Sequence, residues 1–335
     1  MTYSGRQVPD HLLINIEQRN DPVSAVSEED ARHRSVAYPT IMWGAPVFGF
    51  AQEVGNRWRI LRLDAEAPQH ARDGLASHLR QVAAELPATP ENAVERAECE
   101  AAYELLDWEP VNEVSVDGRR YRIIRAQPFV RMGPDGPEPP RPTDPDPYPP
   151  GHEARVMSHM DGFVIDPTAS TGLADGLLRM ELVSALYHPD TVPKEVHADS
   201  RRALTSHPNV VLLPVGFTVG EYVAGSWRPR TATYPTPQAA RDDGYFTISD
   251  LSRDEHPTSD ELWAAYRRYR ATNPPPRGDD FEVRGVRCRV TRVEAFVRVG
   301  PDGPEEPRPS DPESHLPPAR IVEQLRAEGL LSDVD

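Results

Sequence analysis

The segment VDGRRYRIIRAQPFVRMGPDGPEPPRPTDPD, from Val116 to Asp146, returns as VRGVRCRVTRVEAFVRVGPDGPEEPRPSDPE, from Val283 to Glu313, at a gapless offset of 167 residues. Other matches keep nearly the same spacing. Pro68-Gln69 and Ala71-Arg72-Asp73 return as Pro237-Gln238 and Ala240-Arg241-Asp242, Gly49-Phe50 as Gly216-Phe217, and Trp58 as Trp227. Upstream, Pro39 answers Pro208. Two copies of one folding unit explain all of these, and a single long duplication differs from a solenoid, which needs several short repeats. The organisation expected is a first repeat with a proline-rich tail over 1–150, a bridging segment over 151–190, and a second repeat over 191–335. The second repeat carries its own tail and a C-terminal helix. Fused copies usually reproduce a dimer's two-fold contact, so a pseudo-symmetric contact between the repeats is expected.

Within each copy the pattern reads helix, two strands, helical region, two strands. Asp21-Pro22 starts a helix through Val36, with aspartate as cap and proline at the first position; Thr191 to Ser206 fills the same slot in copy two. Strands are expected over Thr40–Val54 and Arg57–Leu63, joined at the Gly55-Asn56 turn. Leu75, Leu79, Val82 and Leu86 share one helical face. The matching stretch in copy two carries Gly244 and β-formers, which predicts a shorter helix. Thr89-Pro90 opens a helix to Asp107, answered by one from Thr258 to Tyr269 with Thr258 and Glu261 as a capping box. Each copy closes with a hairpin, turning at Asp117-Gly118 or Arg284-Gly285. The fold class is α+β: a tandem duplication of a unit with an antiparallel sheet of about four strands packed by helices. In the bridge, DGFVIDPTASTG reads as a short strand and polar loop, and Asp175 to Tyr187 as a helix with Leu178, Leu182 and Leu186 on one face.

The closing strand of each copy changes character along its length. Arg125, Gln127, Phe129 and Arg131 share one face, as do Arg292, Glu294, Phe296 and Arg298. A face that turns from apolar to polar marks a bulge, or a bend where the strand leaves one core for another surface. Both strands then enter Gly-Pro-Asp-Gly-Pro, which fits a type I turn, and a proline-rich tail suited to polyproline II. The candidate binding residues are therefore Arg125, Phe129, Arg131, Asp135, Glu138, Arg141, Arg292, Phe296, Arg298, Asp302, Glu305 and Arg308. They describe two related Arg/Asp/Glu surfaces beside an ordered proline strand, suited to capture of a partner. The bland alternative has Asp135 tying its own turn while Arg131 and Arg141 pair with Asp144 or Glu138 to hold the tail down.

The rest of the sequence narrows function mainly by exclusion. A net charge of −16 disfavours phosphate backbones and anionic membranes, so nucleic acid is an unlikely partner. Lys194 is the only lysine, so the positive charge is nearly all arginine, which favours bidentate carboxylate pairing. Cys99 and Cys288 are far apart and form no CxxC. The N-terminal residues show no basic-then-apolar leader pattern, and no apolar run is long enough to span a bilayer; a cytoplasmic location is expected. No Walker, GxGxxG, HExxH or GxSxG motif is present, and no cofactor or metal is implied. Arg72-Asp73 and Arg241-Asp242 read as helix-start ion pairs, and Trp58 and Trp227 as core or sheet-face aromatics. His152, His159, Asp161 and Asp166 form a weak metal-ligand pattern in the bridge.

FVRMGPDGPEPPRP and its second copy resemble the motif of an uncharacterised actinobacterial family, a domain of unknown function spanning chains of this length. The resemblance covers nearly the whole chain and implies no activity, so it carries over no catalytic or binding residue. The leading expectation is a non-enzymatic cytosolic protein-interaction or scaffold protein using its duplicated Arg/polyproline surfaces. The alternatives are an enzyme of unfamiliar type with its site between the repeats, near His159 and Asp161, and an acidic immunity or nucleic-acid-mimic inhibitor.

Overall fold

The computed structural model describes residues 9, 12–18, 21–147, 149, 160–229, 233–248 (side chains to 242), 278–283, 285–313 and 315–331. Two long strands, β5 (Arg119–Gly133) and β12 (Val286–Gly300), carry the molecule. They pair antiparallel at only four positions, with Pro128 opposite Ala295 at the centre, Gln127 opposite Phe296 and Phe129 opposite Glu294. Positions 167 apart in the chain thus change places across the pair.

On β5 hang β1 (Thr40–Trp43) and β2 (Val47–Val54), with β4 (Glu113–Val116) and the two-residue β6 (Gly136–Pro137). β3 (Arg57–Ala65) pairs with β2, and β7 (Val164–Ile165) with β3. On β12 hang β8 (Asn209–Leu212), β9 (Gly216–Val223), β11 (Asp280–Val283) and β13 (Gly303–Pro304), with β10 (Ser226–Pro229) on β9. All thirteen strands among the described residues belong to one antiparallel sheet, where two sheets of about four were expected.

Two local expectations change and one holds. The strand expected over Thr40–Val54 breaks at Gly44-Ala45-Pro46, because a proline without an N–H cannot continue the ladder there. β5 keeps one register through its polar stretch; the irregular register lies between β2 and β3, at Phe48/Gly49 and Phe50/Ala51. The change of face on β5 therefore marks the strand's passage from one core to another. The Asp117-Gly118 turn holds, with both residues at positive φ (+50° and +69°), as a tight hairpin turn requires.

The helices follow their sequence signals closely. α1 (Pro22–Ala37) is capped by the Asp21 carboxylate, which accepts from the Ser24 N–H at 2.9 Å. α2 (Pro68–Glu85) and α3 (Ala93–Trp108), the latter led by a 3₁₀ turn at Pro90–Asn92, cover one face of the sheet. There Leu75, Leu79, Cys99 and Leu106 pack with Phe48, Phe50, Tyr121 and Ile123. The opposite face gathers Ala51, Trp58, Ile60, Ile124, Ala126 and Ile165 with Ala295, Val297 and Val299 of β12. α4 (Leu173–Val183) stops short of Tyr187; its Leu178 and Leu182 close over Phe129 and Phe296, while Leu186 remains partly exposed. α5 (Lys194–Ser206), α6 (Pro237–Ile248) and α7 (Pro318–Ala327) complete the described helices. None of the described helices is long and apolar enough to cross a membrane. The helix expected over 258–269 lies outside the described residues.

Leu79 is wholly buried between α2, α3 and the sheet. Leu79→Ala should lower unfolding free energy by about 2–5 kcal/mol, read from urea denaturation; a loss below about 1 kcal/mol would place that helix layer outside the cooperative core.

Candidate functional site

The central ladder is short because each proline-rich tail enters where β5 and β12 diverge. The Glu138 N–H donates to the Arg131 carbonyl at 2.8 Å, and the Glu138 carbonyl accepts from the Arg292 N–H at 2.9 Å. Glu305 does the same on the other side, bonding the Arg298 carbonyl and the Arg125 N–H, each at 2.9 Å. Each tail then runs over the strands that its own hairpin does not belong to.

The side chains repeat this exchange. Arg125 Nε donates to both Asp311 oxygens at 3.0 Å, and Arg292 Nε donates to Asp144 at 3.3 Å. Arg72 donates to Glu313 at 2.7 Å and Arg241 to Asp146 at 3.0 Å. The expected Arg72–Asp73 and Arg241–Asp242 pairs are not the contacts made: Gln69 and Gln238 donate to those aspartates, which leaves the arginines to hold a tail. The Gly-Pro-Asp-Gly-Pro turns are exchanged as well. A Cβ on Gly303 would lie 2.4 Å from Trp58 Nε1, and one on Gly136 would lie 2.3 Å from Trp227 Nε1. Arg120 and Arg122 stack on Trp58 at 5.3 and 4.9 Å from the ring centre, and Arg287 and Arg289 on Trp227 at 5.3 Å. Asp302 accepts from both Arg120 and Arg122, whose hydrogen bonds hold its carboxyl below the ordinary aspartate range.

Of the twelve sequence-derived candidates, Arg125, Phe129, Arg131, Glu138, Arg292, Phe296, Arg298 and Glu305 are buried. Arg141 and Arg308 are half-buried, and Asp135 and Asp302 are exposed. The structure brings them together as an internal seam. Arg141 donates to Glu138 and Arg308 to Glu305, both at 2.7 Å, as the tail-holding alternative has it. Arg131, however, faces Glu294 across the ladder at 3.4 Å. Burial works against the charge on Arg292, but Glu294, Asp144 and Glu138 outweigh it and raise its pKa. For Glu294, burial pushes the carboxyl up, while Arg292, Arg131 and Arg141 hold it below the ordinary glutamate value.

At the centre Trp43 packs edge-on against Phe129 and Phe296, with ring centres 5.9 and 6.1 Å away. Beside it lies a cleft of about 20 Å³ lined by Gln127, Tyr187, Ser200, Arg298 and Arg308 among others. The Tyr187 hydroxyl donates to Gln127 Oε1. Among the described residues no group of His, Cys, Asp or Glu is arranged to hold a metal ion. His152 and His159 lie outside the described residues, and Asp166 pairs with Arg57 at 3.0 Å. Sequence reasoning missed Trp43 and Tyr187, since neither belongs to a repeated motif.

A family model described as a family of unknown function, DUF5954, matches residues 21–314. The chain belongs to that family. The matched span of DUF5954 includes both long strands and both tails through the seam contacts at Asp311 and Glu313. No curated protein and no solved structure matches the chain.

A second surface lies away from the seam. α7 buries none of its residues, and Ile321, Val322, Leu330 and Leu331 are exposed. It is attached to α3 through Arg320, which stacks on Trp108 at 5.4 Å and bonds Glu109 at 3.1 Å. Leu105 and Trp108 of α3 are themselves exposed beside it.

Two outcomes follow from the seam. Asp311→Asn leaves the buried Arg125 without its carboxylate and should cost about 3–5 kcal/mol in urea denaturation; a loss under about 1 kcal/mol would show that the tail is not held by this pair. Glu294 has a lowered folded pKa, so its stabilisation is present above the unfolded value of about 4.3 and is lost as pH falls through the folded value. Glu294→Gln should therefore be less stable than the parent at pH 7, with the gap closing in acid. A gap that stays constant with pH would remove the charge from that account.

Proposed function

We propose that this chain is a non-enzymatic, cytosolic interaction protein built by tandem duplication of one α+β unit. In this reading the two exchanged tails lock the repeats into a single rigid body, and the partner is a protein bound elsewhere on it. Most of the twelve candidate residues then act as internal clamps, because the chain itself supplies their partners.

The observation that supports this reading is the C-terminal helix. Ile321, Val322, Leu330 and Leu331 are exposed, as are Leu105 and Trp108 on the helix that Arg320 holds, and α7 itself buries nothing. Contiguous exposed apolar surface is costly in water and commonly marks a protein contact. Apolar side chains spaced along a helix suit helix-in-groove recognition, in which few anchors supply most of the affinity. The lock supplies the rigid support that such anchors need, since a preformed surface loses less entropy on binding.

The test is in-cell crosslinking and affinity recovery with the parent and with Ile321→Asp/Val322→Asp. Both positions are exposed, so the thermal midpoint should stay unchanged while partner recovery falls at least tenfold. Recovery of the same partners at the same yield by the folded variant would overturn the proposal.

A further inference from the structure

The seam is built twice, and the two versions carry different charge. On one side Arg131, Arg141 and Arg292 meet Glu138, Asp144 and Glu294, three cations against three anions. On the other, the residues 167 positions away are Arg298, Arg308 and Arg125 with Glu305, Asp311 and Gln127. An amide stands where the first side has a carboxylate, so this side has one uncompensated positive charge. The acids Asp30 and Asp199, 169 positions apart, meet one tail each, at Thr143 and Ser310, and so leave the difference unchanged, while Asp175 adds a further carboxyl near Glu294 and Arg292 on the first side.

Arg298 shows where that charge resides. Its side chain is only 3% exposed, and among the described residues no carboxylate lies within ion-pair distance of it. It donates instead to the carbonyls of Leu182, Val183, Ala185 and His207, at 3.0–3.4 Å. These are partial charges at helix ends. Burial accordingly pulls its pKa down to about 10, with Arg308 and Arg125 adding repulsion to Glu305's attraction. Burial also lowers the neighbouring His207, with Glu305 favouring its protonation and Arg122, Arg308 and Arg298 opposing it. The cleft described above is on this side. Arg298, Arg308 and Gln127 line it together with Ser200 and the ring of Tyr187, and its 20 Å³ exceeds the roughly 10–15 Å³ that one water-sized group needs.

We propose that this cleft binds the carboxylate head of a small organic acid, placed beside Gln127 to supply the charge that Glu294 supplies on the other side. Trp43 and Phe296 form the apolar wall against which the carbon end of the ligand rests. The site is independent of the α7 surface.

Formate, the smallest carboxylate, is the probe, titrated into the isotope-labelled full chain against chloride at equal ionic strength. Formate should raise the thermal midpoint in a concentration-dependent way, as any ligand specific to the native state does. It should also move the Arg298 Nε–H and Gln127 side-chain resonances while leaving Arg292, the 167-residue counterpart of Arg125 on the balanced side, unmoved. Gln127→Glu should supply the missing charge within the chain, raise the midpoint in formate-free buffer and abolish the formate response. Equal shifts with chloride would mean an adventitious ion only, and a formate response retained by Gln127→Glu would place the binding elsewhere; either overturns the proposal. If Gln127→Glu does not fold, the contrast between Arg298 and Arg292 in the parent decides alone: an unmoved Arg298 signal overturns it.

Discussion

A guanidinium removed from water must meet an anion, or lose several kcal/mol of hydration without return. Arg125 and Arg292 are both buried under a tail, and both find their carboxylates on the tail that belongs to the other long strand. Most other features of the molecule depend on that requirement. It makes the tails cross, it sets Glu138 and Glu305 between the two long strands, and it limits direct contact between β5 and β12 to four positions. It also explains the proline content of the tails, since few N–H groups need partners where the chain crosses a charged surface. The apolar cores lie to either side and stabilise the layers, but they do not choose which tail belongs where.

Much of this architecture was legible in the sequence. The helix starts at Asp21-Pro22 and Pro68, the Asp117-Gly118 turn and the inward leucines of α2 follow from short-range rules of capping, φ and periodicity. What could not be read is the exchange. A repeat shows that two tails exist, and nothing in the spacing says whether Asp311 serves the strand before it or Arg125, 186 residues away. Arg125, Arg131, Arg292 and Arg298 looked like a surface stripe because arginine is rarely buried without a partner, and the partners were invisible. The Arg72-Asp73 dipeptide misled for the same reason: adjacency suggested an ion pair, whereas the arginine reaches Glu313 at the far end of the chain.

Where the two matching stretches of sequence differ matters as much as where they agree. Gln127 against Glu294, Trp43 against Leu212 and Gly44 against Leu213 all fall within a few residues of the central Pro128–Ala295 pair. α4 adds to the difference by lying over β8 and closing on both central phenylalanines. Two of these differing residues, Gln127 and Trp43, line the cleft.

The crossing of the tails also orders events during synthesis. The first half emerges from the ribosome with Arg72, Arg122 and Arg125 ready, but Glu313, Asp302 and Asp311 follow their arginines by 241, 180 and 186 residues. Until then its central strand has an open edge, and three arginines destined for the interior remain hydrated. Closing that edge joins segments roughly half the chain length or more apart, a slow step because long loops must close before their contacts repay the cost. The clamps on the first half therefore stay open until the second tail has been made. The open edge meanwhile offers a ladder to any neighbouring chain, so the half-made molecule carries an aggregation hazard that the finished fold does not.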